Sequence, residues 1–323
     1  MVLWILAGLL LLALIAWGAL QIAIARNGPA VLSTVDRIAG GARGAEQKAV
    51  ISTGNHPSQK VVVWGAEHRD PALAPAPVLL FTHGGSWQNG DPVDYGFIGR
   101  HFVTNGFIVV LAGYRLGEDG RYPAMLEDTA SAVHWTHENI ASYGGDPSQI
   151  VIAGHSAGAY NVVMTALEEQ WLGRRGLSAD AIAGVVGLAG PYDFFPFDSD
   201  STRAAFGHAA EPEMTQPLAH VPEDAGTGTP PLLLIHGEAD TVVKVRNSRA
   251  LETALSEAGA SVSTLYTAGQ THGDPIFALA APWRTRDSHS PITEAVTSFA
   301  LDPDGFGTSE PAEVSVPVQA ETR

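Results

Sequence analysis

The chain contains no cysteine. Disulfides, thiolate zinc sites, iron–sulfur clusters and a cysteine nucleophile are all excluded by that absence. Compartment stays open, because a chain without thiols suits either redox poise. Positive charge is also scarce: 18 Lys and Arg stand against 34 Asp and Glu, a formal net charge of −16. A nucleic-acid binder normally presents a basic face to phosphate, and this balance argues against one. Charge of either sign is sparse at 16% of residues, whereas 45% are hydrophobic. Such a chain is too apolar for disorder. Its 323 residues fit one large domain or two small ones. The mean hydropathy of +0.07 is high for a soluble enzyme, so the apolar excess has to be located.

Much of it lies at the front, where Met1 to Ala25 carries no charged residue. As a helix, that stretch spans about 37 Å at about 1.5 Å per residue. A hydrocarbon core is about 30 Å thick. No Lys or Arg precedes the run, and it exceeds the apolar core of about 7–15 residues of a signal peptide. Residues 1–25 therefore read as a transmembrane anchor. Ala23-Ile24-Ala25 also fits a small-x-small cleavage site, which leaves a cleaved signal as the alternative. Arg26, Arg37, Arg43 and Lys48 follow the span, so the positive-inside rule leans towards a cytoplasmic body. At the far end, residues 302–323 hold three prolines, five acids and no amphipathic period, the pattern of a disordered acidic tail. Between the ends lie a linker with first β-elements, 26–59, and a single domain, 60–301.

Within that domain, continuous apolar runs alternate with helix-like segments. Lys60–Trp64, Pro77–His83, Phe107–Ala112, Ile150–Ala153, Ile182–Leu188, Pro231–Ile235 and Ser261–Tyr266 predict strands. Pro123–His137, the stretch from Gly158 to Leu167, Asn247–Ala258 and Pro291–Leu301 predict helices. Fully apolar strands alternating with helices imply a mostly parallel sheet covered on both faces. Ligands of such sheets bind outside the carboxyl ends of the strands.

Gly154-His155-Ser156-Ala157-Gly158 falls between a strand and a helix. A G-x-S-x-G turn in that context holds its serine at the sheet edge, with glycines allowing close backbone approach. A serine hydroxyl needs a base, and the base needs an orienting carboxylate. On such folds the chain order is Ser, acid, His. Asp240, in His236-Gly237-Glu238-Ala239-Asp240, is the candidate acid and Glu238 its alternative. His272 is the candidate base, 32 residues on; the other downstream histidine, His289, reads as a surface residue. Upstream, His83-Gly84-Gly85-Ser86-Trp87 closes a strand, and the amides of Gly85, Ser86 and Ala157 are the candidate oxyanion hole. His83 and His155 read as structural, the latter pointing away from Ser156. His236 reads as a satisfied strand cap, and His134 and His137 as a solvated or half-buried helix face rather than a metal site. Trp87, Phe194 and Phe195 are candidate pocket residues beside a small lid at about 195–230.

These motifs, with Gly113-Tyr114-Arg115, Tyr143–Ile150 and Leu188–Phe194, resemble the α/β-hydrolase superfamily. The resemblance is to its HGG-motif esterase/lipase branch. That branch includes hormone-sensitive-lipase-like, feruloyl-esterase-like and isoprenylcysteine-methylesterase-like enzymes and kynurenine formamidases. The oxyanion motif here reads HGGS without a third glycine, and the elbow reads GHSAG. The resemblance implies an α/β-hydrolase fold and a carboxylesterase-type serine hydrolase (EC 3.1.1) acting on a small-molecule ester, with no metal or organic cofactor. It also implies that Tyr114, Arg115 and Asp146 hold the fold. An amidase such as an arylformamidase, and a catalytically silent membrane-tethered binding protein, are the rival readings.

Overall fold

A computed structural model describes residues 2–41, 43–70 and 72–307. Eight strands form one sheet in the order β1-β2-β4-β3-β5-β6-β7-β8. They are β1 (Ala45–Ser52), β2 (Lys60–Ala66), β3 (Ala76–Thr82), β4 (Ile108–Ala112), β5 (Gly145–His155), β6 (Gly184–Leu188), β7 (Leu232–Gly237) and β8 (Val262–Thr267). β2 pairs antiparallel with β1 and β4, and all later pairings are parallel. The chain leaves β3 for β4 on one side, then crosses back to β5 on the other. The carboxyl ends of β3 and β5 thus become neighbours at the point where strand order reverses, which is where such sheets open a crevice.

Helices cover both faces: α1 (Val2–Asp36), α2 (Gly96–Thr104), α3 (Ala124–Asn139), α4 (Ala157–Leu167), α5 (Gln170–Gly173), α6 (Asp200–Phe206), α7 (Arg246–Glu257), α8 (Asp274–Phe277) and α9 (Ser290–Leu301). Strand side chains alternate between two cores. Val61, Val63, Val78 and Leu80 join α3, α4 and α7, whereas Val62, Trp64, Leu79 and Phe81 join α2 and α9. Each such side chain, fully buried, contributes about 1.5–3 kcal/mol. The predicted strands and helices are present, and α2 and the shorter α5, α6 and α8 are additions. Every residue of α2 from Gly96 to Val103 is buried, so it has no polar face to create a helical period.

The front of the chain departs from expectation. α1 runs past residue 25 and bends at Asn27, whose φ of −157° and ψ of 78° lie outside the helical region. The Asn27 side chain accepts from the Ala30 amide at 3.1 Å, capping the second half as a new helix. Among the described residues no single helix is long and apolar enough to cross a membrane; Leu9–Ile24 and Arg26–Gly41 form a bent pair at 111°. The first half exposes its apolar side chains, Leu12 and Trp17 by 64% and 63%.

Residues 28–36 are not a linker, because they dock. Asp36 is fully buried and accepts from Arg100 Nε at 2.7 Å, Arg284 Nη2 at 2.6 Å and the Ala281 amide at 2.8 Å. Arg100 also donates to the Ser33 carbonyl at 2.8 Å, and Leu32 packs into the core on the α2 side. Removing one partner from a buried pair of this kind costs about 3–5 kcal/mol. The first residues of the expected tail are ordered, since Phe306 packs edge-on against Phe299 at 5.5 Å. Its remainder, 308–323, lies outside the described residues.

Candidate active site

Ser156 stands where β5 turns into α4, with φ 55° and ψ −120°. A non-glycine residue held there costs about 1–3 kcal/mol, so its surroundings must enforce the turn. The Ser156 amide donates to the Leu188 carbonyl at 2.8 Å. A Cβ at Gly154 would collide with the Gly158 backbone, and one at Gly158 with the Thr82 carbonyl. Only glycines let α4 leave the sheet this steeply, and the serine Oγ is delivered above the edge.

His272 follows β8 and immediately precedes α8. Ser156 Oγ–H donates to His272 Nε2 at 2.9 Å, and His272 Nδ1–H donates to Asp240 Oδ2 at 2.7 Å. The other Asp240 oxygen accepts from the amides of Val242 and Val243 at 2.8 and 2.9 Å. Burial opposes ionisation of Asp240, yet the hydrogen bonds from His236 and His272 outweigh it. They hold its carboxyl well below the usual carboxylate range. The alternative acid, Glu238, faces solvent and pairs with Arg249 at 2.7 Å.

Three histidines build the setting. His236 is fully buried, and its Nε2 lies 2.8 Å from the Val243 carbonyl and 3.2 Å from Asp240 Oδ2. Two oxygen acceptors face that nitrogen, so it carries the proton. Nδ1 then accepts from Ser248 Oγ at 2.7 Å. More than a strand cap, His236 is the second imidazole on Asp240. The spacing HGEAD carried that signal, since β7 ends at Gly237 and the turn brings residue 240 back over residue 236.

His155 does point away from Ser156, and its Nε2–H donates to the His272 carbonyl at 2.9 Å. Burial, with His272 beside it, pushes the His155 ring down to about 3, so it stays neutral. His289 is a correction: it is 7% exposed rather than a surface residue. Its Nε2 lies 3.3 Å from Asp274, whose other oxygen accepts from the Thr271 amide at 2.6 Å. The loop carrying His272 is therefore braced from two directions.

On the β3 side, His83 donates from Nδ1 to the Gly84 carbonyl at 2.8 Å and stacks on Tyr114 at 4.7 Å. Gly85, Ser86 and Trp87 follow with φ of 119°, 55° and 59°. Such a run of left-handed residues turns successive amides to one side. Among the described residues, no acceptor takes a hydrogen bond from the amides of Gly85, Ser86 or Ala157.

Two clefts flank Ser156. The first, about 750 Å³ with its open mouth, is lined by Trp87, Ala157, Phe194, Lys244 and Asn247. Trp87 is 3% exposed, donates to Asn161 at 3.1 Å and packs edge-on against Phe206 at 4.7 Å. Phe194 joins the same cluster. Phe195 does not line the cleft: it is 41% exposed, because its neighbour Phe194 takes the inward position. The second cleft, about 840 Å³ with its mouth, holds His272 together with Leu32, Phe97, Ile276 and Phe277. Among the described residues no group of three or more His, Asp and Glu stands ready for a metal ion.

A parallel sheet with a strained serine at the end of its central strand, facing a His–Asp pair, defines the α/β-hydrolase class. A family model described as BD-FAE matches residues 69–255. Esterase LipQ of Mycobacterium tuberculosis is 34% identical over 252 residues, 72% of this chain and 57% of its own. Esterase LipC of the same organism is 30% identical over 240 residues, 68% of this chain and 58% of its own. The chain thus spans somewhat more than half the length of these two relatives. Esterase B from Lactobacillus rhamnosis shares the fold at TM-score 0.68 and 18% identity, over 93% of this chain and 98% of that one. The chain belongs to the BD-FAE family, within the esterase/lipase branch of the α/β-hydrolases.

Proposed function

We propose that this protein is a serine carboxylesterase in which Ser156, His272 and Asp240 act as a catalytic triad. The observation that carries the reading is the unbroken relay from Ser156 Oγ through His272 to Asp240, at 2.9 and 2.7 Å. His272 Nε2 takes the hydroxyl proton as Oγ bonds to the ester carbonyl carbon. The carbonyl electrons move onto oxygen, where the amides of Gly85, Ser86 and Ala157 receive the charge. The imidazolium beside the ionised Asp240 returns its proton to the leaving alkoxide as the C–O bond breaks. Water, deprotonated by His272, then attacks the acyl carbon, the same amides hold the second oxyanion, and its collapse breaks the C–Oγ bond as the imidazolium returns the proton to Ser156. Trp87 and Phe194 line the first cleft with aromatic rings and Phe206 packs behind them, which favours short or aromatic acyl groups. The relatives named esterases support ester hydrolysis over amide hydrolysis. The exposed apolar half of α1 supports tethering of the enzyme to a membrane.

One experiment tests nucleophile and tether together. A fluorophosphonate probe is expected to label the wild-type chain, in the membrane fraction, and to leave Ser156→Ala unlabelled. The variant should lose at least about 10⁴-fold in kcat towards p-nitrophenyl acetate while keeping its circular dichroism. Labelling of both chains, or undiminished turnover, would refute the triad; label in the soluble fraction would refute the tether.

A further inference from the structure

The two clefts at Ser156 differ in one chemically decisive respect. His272 lines the second and not the first. In the reaction proposed above, on which this inference rests, His272 must hand its proton to the oxygen of the departing alcohol. The alcohol half of the ester therefore lies on the His272 side, and the acyl half lies towards Trp87 and Phe194.

The alcohol side has an unusual wall. Gly28, Pro29 and Leu32, all from the second half of α1, line it together with Ile276 and Phe277. Those three residues precede residue 69, where the family match begins. They are held there by Asp36 one to two turns further on, through its buried bonds to Arg100, Arg284 and Ala281. Asn27 fixes the other end, donating to Asp94 at 2.7 Å. The wall is thus pinned at both ends, and the side chains facing the cleft are mainly apolar. At Gly28, which borders this cleft and a neighbouring one, a Cβ would meet nothing within 4 Å, so a larger side chain has room there.

We propose that the second half of α1 forms the alcohol-binding subsite and selects esters of apolar, chain-like alcohols. Such an alcohol places its hydrocarbon between Leu32 and Phe277 while its oxygen stays within reach of His272. The bend at Asn27 that brings Gly28 to this wall also carries the exposed apolar half of α1 away from it. One helix therefore serves as both specificity element and exit from the domain.

The test uses the full-length protein and two ester series. Acetates of alcohols from methanol to octanol vary one half of the substrate, and methyl esters of acids from acetate to octanoate vary the other. Wild-type kcat/KM is expected to rise at least about tenfold along the alcohol series, since each buried methylene adds apolar contact. Gly28→Phe, which extends a ring into the open cleft, should lower the octyl-to-ethyl acetate ratio at least about tenfold. The ratio of methyl octanoate to methyl acetate should change less than twofold. Leu32→Phe narrows the same cleft from the next turn and should give the same pattern, so misfolding of one variant does not decide the matter. A flat alcohol profile in the wild type, or a shift confined to the acyl series, would overturn the proposal. Failure of the wild type to cleave any ester of either series would instead refute the hydrolase reading beneath it.

Discussion

Asp36 and Asp240 are both buried carboxylates bonded to a pair of basic side chains, and under the proposed mechanism they serve opposite purposes. Asp36 meets two guanidiniums and a backbone amide. Arginine stays charged at any pH a protein survives, so this cluster has one state and acts as a fastener. Asp240 meets two imidazoles, His236 and His272. In the reaction proposed above His272 takes and returns a proton at each turnover, so the charge beside Asp240 changes while that beside Asp36 does not. The residue type is the same in both places. What differs is whether its partners can change charge.

The first way to break the comparison is to neutralise each acid in turn. Asp240→Asn leaves the geometry but inverts the demand on His272, whose Nδ1 no longer faces a charged acceptor. A loss of about 10⁴-fold in kcat is expected, with the unfolding midpoint little changed. Asp36→Asn should do the reverse. It strands Arg100 and Arg284 without a counter-charge and costs about 3–5 kcal/mol in urea unfolding, with turnover of short esters reduced less than about tenfold. If the activity and stability losses were exchanged between the two variants, the contrast would be wrong.

A gentler probe is pH. His101, pressed against Arg284, and His155, beneath His272, are both pushed down to about 3, by burial first and then by the adjacent charge. His83 is lowered by burial as well. An unfolded histidine titrates at about 6.5, so between about 6.5 and 3 the unfolded chain binds more protons than the folded one. Stability is therefore complete above about 6.5 and falls as pH drops towards 3. Each histidine contributes a slope of up to about 1.4 kcal/mol per pH unit. His101→Gln should flatten the curve of melting temperature against pH over that range; an unchanged slope would count against a neutral His101.

Legibility in the sequence followed the range of the interactions. The sheet was visible because its central strands are unbroken apolar runs, and Ser156 because two glycines mark a backbone collision only glycine avoids. Chain order, which the fold imposes, points to Asp240 and His272 as the candidates that hydrogen-bond in line with Ser156. The Asp36 cluster was not legible, because its partners lie 64 and 248 residues away and nothing local marks them. α2 escaped because a helix buried all round has no period to read. His289 was misplaced because its neighbours Asp287 and Ser288 look like a solvent-exposed turn, while its partner Asp274 comes from the loop it braces.

The fastening of α1 has a practical corollary. A segment at the front of a chain is usually treated as a leash that can be cut or exchanged without touching the machine it holds. Here the stretch from Asn27 to Asp36 is bolted to the loop after His272 through Ala281 and Arg284. Trimming the front of the chain, or grafting the hydrolase body onto a foreign leash, has to spare that stretch. Any cut behind Asp36 would leave two arginines facing each other across an empty seat.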